Sequence, residues 1–560
     1  MTRTAWTEYA DRYRELAERE LASVAELERL LLDRSELDAE VLEQEGLAYM
    51  AMTQCTDDAC AKEDYLAFCR DVAAPSKEAR AALDGKIVES SWSAALDPVR
   101  YGVLLRGMRA NVELFRDEAP GIEAECAARL QEWSEIQGAL SVECGGETLT
   151  MKEAQARLEA ADRETREDVW LRVAEERAGT EASIDRAYDE LIRLRTRLAR
   201  NAGFEDYRGY AFVEKHRFDY GIDDCVAFHA AVEEHFVPLL AEVLEDRARR
   251  LRAASRRFEV ASLRPWDLTA DPDGSDPLRP CRDASELVSG VRRMFHRMDA
   301  ELGGFFDSMR DGKSLDLESR PGKAPGGYQM TLDAQRRPFI FMHVGGINDD
   351  LRVLTHEAGH AFHTLLAARD PLLAYRVAGP EFSEVASMSM ELLVHPYLDE
   401  FYAGGELRRS RRSHLEGIVR LMPWIAVIDA FQLWVYEHPE HSTLERADAW
   451  EALYRRFTPI VDWSGHERAL RREWQRVPHL FTNPLHFIEY GIAQLGALQV
   501  WARAREDEGA ALAAYKRALA LGGSRTLPEL FGAAGLELDF TGRTMEGAAA
   551  MVGEAWRSLA

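Results

Sequence analysis

Residues 356 to 360 read His-Glu-Ala-Gly-His, and the side chains of His356, Glu357 and His360 are the types a hydrolytic metal centre requires. Residues four apart on an α-helix stack on the same face, so the two imidazoles can bind one ion together. Glu357 then projects beside that ion, where its carboxylate can take a proton from an activated water. The chain's own His and Glu frequencies produce such a pattern by chance in roughly a few per cent of sequences of this length, so the surroundings must carry the rest. They read as a helix. Asn348, Asp349 and Asp350 offer an N-cap, Leu351, Leu354, Ala358, Ala361, Phe362 and Leu365 recur at helical spacing, and Pro371 follows as a stop. A buried helix whose histidines merely hydrogen-bond to neighbours is the competing reading. Two histidines flanking a glutamate on an otherwise apolar helix make it the poorer one.

A catalytic zinc takes three protein ligands and keeps a fourth position open. His363 lies near the same helical face, but three ligands from two consecutive turns strain tetrahedral angles, so it reads as a packing residue or a hydrogen-bonding neighbour of the ligands. The longer pattern HExxHxxGxxH would need glycine and histidine where this chain has His363 and Leu366. Glu384 is the better third ligand. Pro380 and the acidic residues after it suit a helix start, Val385, Met388, Leu392 and Leu393 follow at helical spacing, and residues 370 to 380 form a turn. The resulting helical hairpin brings a carboxylate near the start of its second helix across to the metal face of the first. Glu391, two turns after Glu384, points the same way and can accept the free ring N–H of a ligand histidine; its plain alternative is a solvated face.

These residues carry a family resemblance. HEAGHAFH, followed after 23 residues by Glu384 in EFSEVASMSMELL, resembles the M3 family of zinc metallopeptidases, in its oligoendopeptidase F-like branch. The stretches Leu263 to Asp267, Gly322 to Tyr328, Pro338 to Met342 and Tyr490 to Gln499 are similar to the same branch, so the resemblance runs from about residue 190 to the end. It implies a mainly α, elongated, neurolysin-like fold with a deep substrate channel, and one Zn2+ per chain held by His356, His360 and Glu384 with Glu357 as base. It also implies that His479 and Tyr490 face the scissile carbonyl and steady the charge developing on its oxygen. The chain departs from the pattern in one place. Between Pro484 and Tyr490 related sequences carry tyrosines, whereas this one reads Leu485-His486-Phe487-Ile488-Glu489, so His486 either takes over as a donor or leaves the role to Tyr490.

The implied activity is hydrolysis of internal bonds in short unstructured peptides. A dipeptidyl carboxypeptidase, a carboxypeptidase and a non-catalytic peptide-binding protein stay open as alternatives. By the same resemblance, residues 1–195 form a helical region contributing to the channel wall and 196–560 the catalytic domain. The first part is charged and helix-patterned, with a break expected near Asp33 to Asp38 and a short hairpin at Glu143-Cys144-Gly145-Gly146-Glu147. Arg264 to Arg282, rich in Pro, Asp and Gly, reads as a long loop. Tyr328 to Leu332 and Pro338 to Val344 read as a small antiparallel sheet whose edge could pair with extended peptide. Gly345 and Gly346 after it would let a substrate backbone approach closely, or serve only as a turn.

Composition narrows the setting. The formal net charge of −27 argues against a nucleic-acid partner, and 46% hydrophobic content over 560 residues suffices for a large core. Seven cysteines without disulfide or metal-cluster spacing read as reduced thiols. With a polar amino terminus and no evident membrane-spanning run, the expectation is a cytoplasmic protein with no membrane partner, as a monomer or homodimer.

Overall fold

Apolar residues recur at three- and four-residue spacing along most of the chain, and the computed structural model is accordingly 72% helical, with two small sheets among the described residues. Residues 6–116, 118–254 and 262–560 are described. The chain divides into two compact units, each built from three separated segments: Met1–Phe115, Leu278–Arg411 and Ile492–Leu538 in the first, Arg116–Pro277, Arg412–Gly491 and Asp539–Ala560 in the second. The boundary expected at residue 195 is not found there. It falls within the unbroken helix Arg163–Ala202, whose buried residues Tyr188, Leu191, Ile192, Leu194 and Leu198 continue through it. A helix that keeps one face in one core gives the chain no place to part.

In the first unit, helices Trp6–Glu18, Val24–Gln54, Ala74–Glu89 and Pro98–Leu114 share an apolar core that also takes in Leu372 and Tyr375. The Tyr375 hydroxyl donates to the Arg100 carbonyl at 2.7 Å, and Arg100 pairs with Asp370 at 2.7 Å. These contacts anchor the turn between the two helices that carry the candidate site. The break expected near Asp33 to Asp38 is absent, because Val24–Gln54 runs through it and the interruption lies upstream of Ser23, its N-cap. Asp38 acts inside the helix, accepting from Tyr13 Oη at 2.5 Å and Arg80 Nε at 3.0 Å. Read without those partners, a cluster of acids resembles a cap.

Tyr328–Leu332 pairs antiparallel with Arg337–Val344, whose other edge is joined by Leu315–Glu318 in parallel, so the small sheet is mixed. Beyond Val344 the chain turns into the helix Asn348–Ala367 through Gly346 at φ 73, where a Cβ would lie 2.7 Å from the Cys281 carbonyl oxygen. Only glycine fits that turn.

The second unit contains the helices Ala119–Ala139, Arg163–Ala202, Ile222–Ala254, Thr443–Phe457 and Gly542–Ser558. Its hairpin, Ser141–Cys144 against Glu147–Thr150, turns on Gly145 at φ 63 and Gly146 at φ 86, the left-handed pair that a tight two-residue turn demands. The loop after Arg264 is pinned by buried Asp267, which pairs with Arg163 at 2.8 Å and Arg166 at 3.0 Å. Helix Gly404–Glu437, which the sequence reading passed over, contains one stretch long and apolar enough to cross a membrane, but 72% of it is buried inside the protein. Val419, Met422, Ile425 and Ile428 there are core residues.

Candidate metal centre

The helices Asn348–Ala367 and Pro380–Leu393 meet at Gly359, where a Cβ would lie 2.6 Å from both the Ala386 carbonyl oxygen and the Ser387 Cα. The missing side chain lets the second helix approach until Glu384 Oε2 is 3.5 Å from His356 Nε2 and 3.7 Å from His360 Nε2. One atom from each of the three residues lies within 4.8 Å of the others. Zinc bonds of about 2.0–2.2 Å at tetrahedral angles place neighbouring donors roughly 3.3–3.6 Å apart, so these residues fit a zinc-sized ion. Two imidazoles and one carboxylate also leave a fourth position open.

Each donor is oriented from behind. His356 Nδ1 lies 2.7 Å from Glu391 Oε1, which presents Nε2 to the site. The His360 ring donates to the Ser383 carbonyl, and Glu384 Oε2 accepts from Ser387 Oγ at 2.9 Å. Glu357, 8% exposed, accepts from the backbone N–H of Gln329 on the adjoining strand. Burial opposes a charge on His356, but Glu391, Glu384 and Glu357 override it and push its pKa up to about 9. Burial, with help from Glu384 and Glu391, pushes the Glu357 carboxyl up to about 7, partly offset by His356. His360 is held down to about 4 by burial, which the nearby carboxylates only partly oppose.

Of the two readings of His363, packing is the one the structure favours: it is 1% exposed, its pKa is pushed to about 3 by burial, and its Nε2 has no hydrogen-bond partner among the described residues. Gly345 and Gly346 form the turn before the helix; Gly346 is buried against the Cys281 carbonyl, whereas Gly345 is exposed with nothing within 4 Å of where a Cβ would lie, so a close backbone approach stays open at Gly345 alone. Asp350 takes the N–H groups of Gly345 at 2.8 Å and Ile347 at 2.9 Å, with Gly346 directed to it as well.

His479, His486 and Tyr490 belong to the second unit and form a cluster of their own. The two imidazoles stack with centroids 5.5 Å apart and planes at 5°, Tyr490 sits edge-on to His486 at 4.7 Å, and Tyr490 Oη is 3.4 Å from His479 Nε2. Burial, and His486 beside it, lower the His479 pKa. Behind them lies a buried relay that sequence reasoning missed: His486 contacts Glu489, which pairs with Arg217. Burial opposes the Glu489 charge, but His486 and Arg217 hold its pKa below the usual range. Arg217 Nη2 also donates to the Leu485 carbonyl at 2.5 Å, and the Leu485 N–H donates to Gln432 Oε1 at 2.9 Å. These bonds hold Leu485 at φ 58, a left-handed conformation costly for a branched residue, and so aim the segment that carries His486.

Residues 156–548 match the model of Peptidase family M3. The chain belongs to peptidase family M3. It is therefore a metallopeptidase. Among solved structures it is similar to PZ peptidase A with inhibitor 2, at 25% identity, TM-score 0.91 and coverage of 99% of this chain and 98% of that one. It is also similar to a putative oligoendopeptidase F, at 28% identity, TM-score 0.89 and coverage of 100% and 97%. A putative oligoendopeptidase F from Bacillus anthracis str. Ames shares the fold at 24% identity, TM-score 0.86 and coverage of 100% and 97%. No curated protein sequence matches. For this M3 peptidase the family match begins upstream of residue 190, where the sequence resemblance becomes specific.

Proposed function

We propose that the protein is a zinc-dependent oligoendopeptidase acting on internal bonds of short unstructured peptides. The observation that carries the reading is the trio His356, His360 and Glu384 at zinc-compatible separations of 3.5 and 3.7 Å, with Glu357 buried beside it. A zinc ion bound there supplies Lewis acidity, making water nucleophilic near neutral pH and polarising the peptide carbonyl. Glu357 accepts the proton of the attacking water and returns it to the leaving amine. Its pKa of about 7 without metal makes it a competent base, and a neighbouring cation lowers that value enough to keep the carboxylate ionised at neutral pH. His479 and Tyr490 are the donors that the family resemblance implies for the developing oxyanion, an effect on the order of 10²–10³ in rate. The similarity to structures titled putative oligoendopeptidase F supports internal cleavage over removal of C-terminal residues.

The test is Glu357→Gln. We expect the variant to keep one zinc per chain by elemental analysis and to lose nearly all cleavage of a fluorogenic peptide. Undiminished turnover would sink the mechanism. A peptide blocked at both ends separates endopeptidase from carboxypeptidase and dipeptidyl carboxypeptidase readings, because only the first cuts it internally.

A further inference from the structure

The second unit holds a cavity of roughly 390 Å³ framed by the helix Arg163–Ala202, the segment around Pro265 to Thr269 and the stretch from Trp463 to Arg476. None of its lining residues belongs to the His356 group or to the His479 cluster. A volume of this order suits a small organic molecule. Part of the lining is aromatic: the Trp170 ring lies 5.8 Å from Trp463 and 5.2 Å from His466, and Tyr454 stands edge-on to Trp463 at 5.6 Å. Val173 and Leu268 add aliphatic surface.

Its polar groups are unbalanced. Arg177, Arg468, Arg472 and Arg476 face Glu175, Glu181 and Glu473, a cationic excess in a chain whose net charge is −27. Two of the carboxylates are already engaged: Glu181 pairs with Arg468 at 3.1 Å and with Arg472, and Glu473 pairs with Arg476 at 2.7 Å. Among the described residues Arg177 makes no side-chain hydrogen bond or ion pair; burial lowers its pKa, and the charge of Glu473 opposes this only in part. Arg472 Nε is buried without a hydrogen bond among the described residues, while its Nη1 pairs at 3.9 Å with Asp185 behind the lining, so Arg177 is the guanidinium of this group left without a carboxylate. A guanidinium partly removed from water without a counter-ion is costly, and unmet donors beside an aromatic wall select a ligand that brings acceptors and an apolar body.

We propose that this cavity is a second binding site, for a small monocarboxylate with an aromatic or apolar body, with Arg177 as the counter-ion of the carboxylate. Such a carboxylate is borne equally by a free acylated amino acid and by the C-terminus of a short peptide. The site does not depend on the peptidase reading, and its failure leaves that reading untouched.

The test titrates the full-length, zinc-loaded protein with N-acetyl-phenylalanine and with N-acetyl-phenylalanine amide, following tryptophan fluorescence, to which Trp170 and Trp463 contribute. The acid should bind saturably and at least tenfold more tightly than the amide. Arg177→Gln should weaken the acid at least tenfold, leave the amide unchanged and leave kcat on a reporter peptide unchanged, and Arg177→Lys should recover part of the affinity. Equal binding of acid and amide, no saturable binding up to the solubility limit, or wild-type affinity in Arg177→Gln would each overturn the proposal. Comparison with N-acetyl-alanyl-phenylalanine identifies the source: tighter binding points to a peptide terminus, weaker binding to a free acid.

Discussion

Replacing Gly359 by alanine tests the contact that sets the separation of the two metal-site helices. The added Cβ would lie 2.6 Å from the Ala386 carbonyl oxygen, 2.6 Å from the Ser387 Cα and 3.0 Å from the Ala386 carbonyl carbon. Non-bonded heavy atoms sit best at about 3.5–4.0 Å, so the helices must part by roughly 1 Å, since backbone atoms cannot rotate aside as a side chain would. In stability the change is modest. Alanine gains about 1 kcal/mol over glycine in a helix, and overpacking costs about 1–3 kcal/mol, leaving a net loss of about 0–2 kcal/mol. The metal centre is far less tolerant. Metal–ligand distances must hold within about 0.2 Å, and Glu384 lies two residues from the displaced Ala386 while His356 and His360 flank Gly359. Zinc affinity should therefore fall at least about 100-fold, the upper end of what losing a supporting partner costs. A competition titration with a chromophoric chelator measures this, beside thermal melts of the metal-free protein. Gly304→Ala is the control: its Cβ meets nothing within 4 Å, so zinc affinity should hold and stability rise by about 0.5–1 kcal/mol. Wild-type zinc affinity in Gly359→Ala would refute the argument that this close approach builds the site.

Three further outcomes follow from the same geometry. Glu391→Ala removes the acceptor 2.7 Å from His356 Nδ1 and should weaken zinc by about 10–100-fold; an unchanged affinity would mean the ring is oriented by something else. Metal uptake should release protons. With its pKa at about 9, His356 is protonated at pH 7 and must lose a proton to bind, whereas His360, at about 4, is already neutral. Zinc affinity should thus rise with pH until about 9, and calorimetry in two buffers of different ionisation heat should report release at pH 7 of about one proton from His356 and about half a proton from Glu357, whose pKa of about 7 the bound cation lowers; no buffer dependence would contradict the assignment. Arg217→Met leaves buried Glu489 without its cationic partner and with the His486 ring beside it, and should cost about 3–5 kcal/mol in urea unfolding, with Arg217→Met/Glu489→Gln recovering much of it. A loss below about 1 kcal/mol would show that the buried pair is not holding the His486 segment.

How far the sequence reached depended on whether the chemistry lies along one element. His356, Glu357 and His360 share a helix, and the 3.6-residue repeat converts their spacing into direction with no other information. Glu384 and Glu391 required one further step, a hairpin signalled by Pro371 and Pro380 and a seven-residue spacing that puts both carboxylates on one face. The strand Leu315–Glu318 escaped notice because it has four residues, two of them acidic, and its partner is a parallel strand some twenty residues on. Arg217 gave no signal at all, lying 272 residues from the glutamate it pairs with.

Local periodicity by itself thus determined the helical class, the hairpin at Gly145 and Gly146, and the residues that could hold a metal. Backbone hydrogen bonding fixes those directions wherever a helix or turn forms. Only the tertiary structure decided that Gly359 is the point of closest approach, that His363 is core, that Glu391 meets His356, and that Arg177 faces a cavity without a counter-ion. Those facts are distances between elements, set by how side chains from separated segments fill shared space, and no spacing along one segment encodes them.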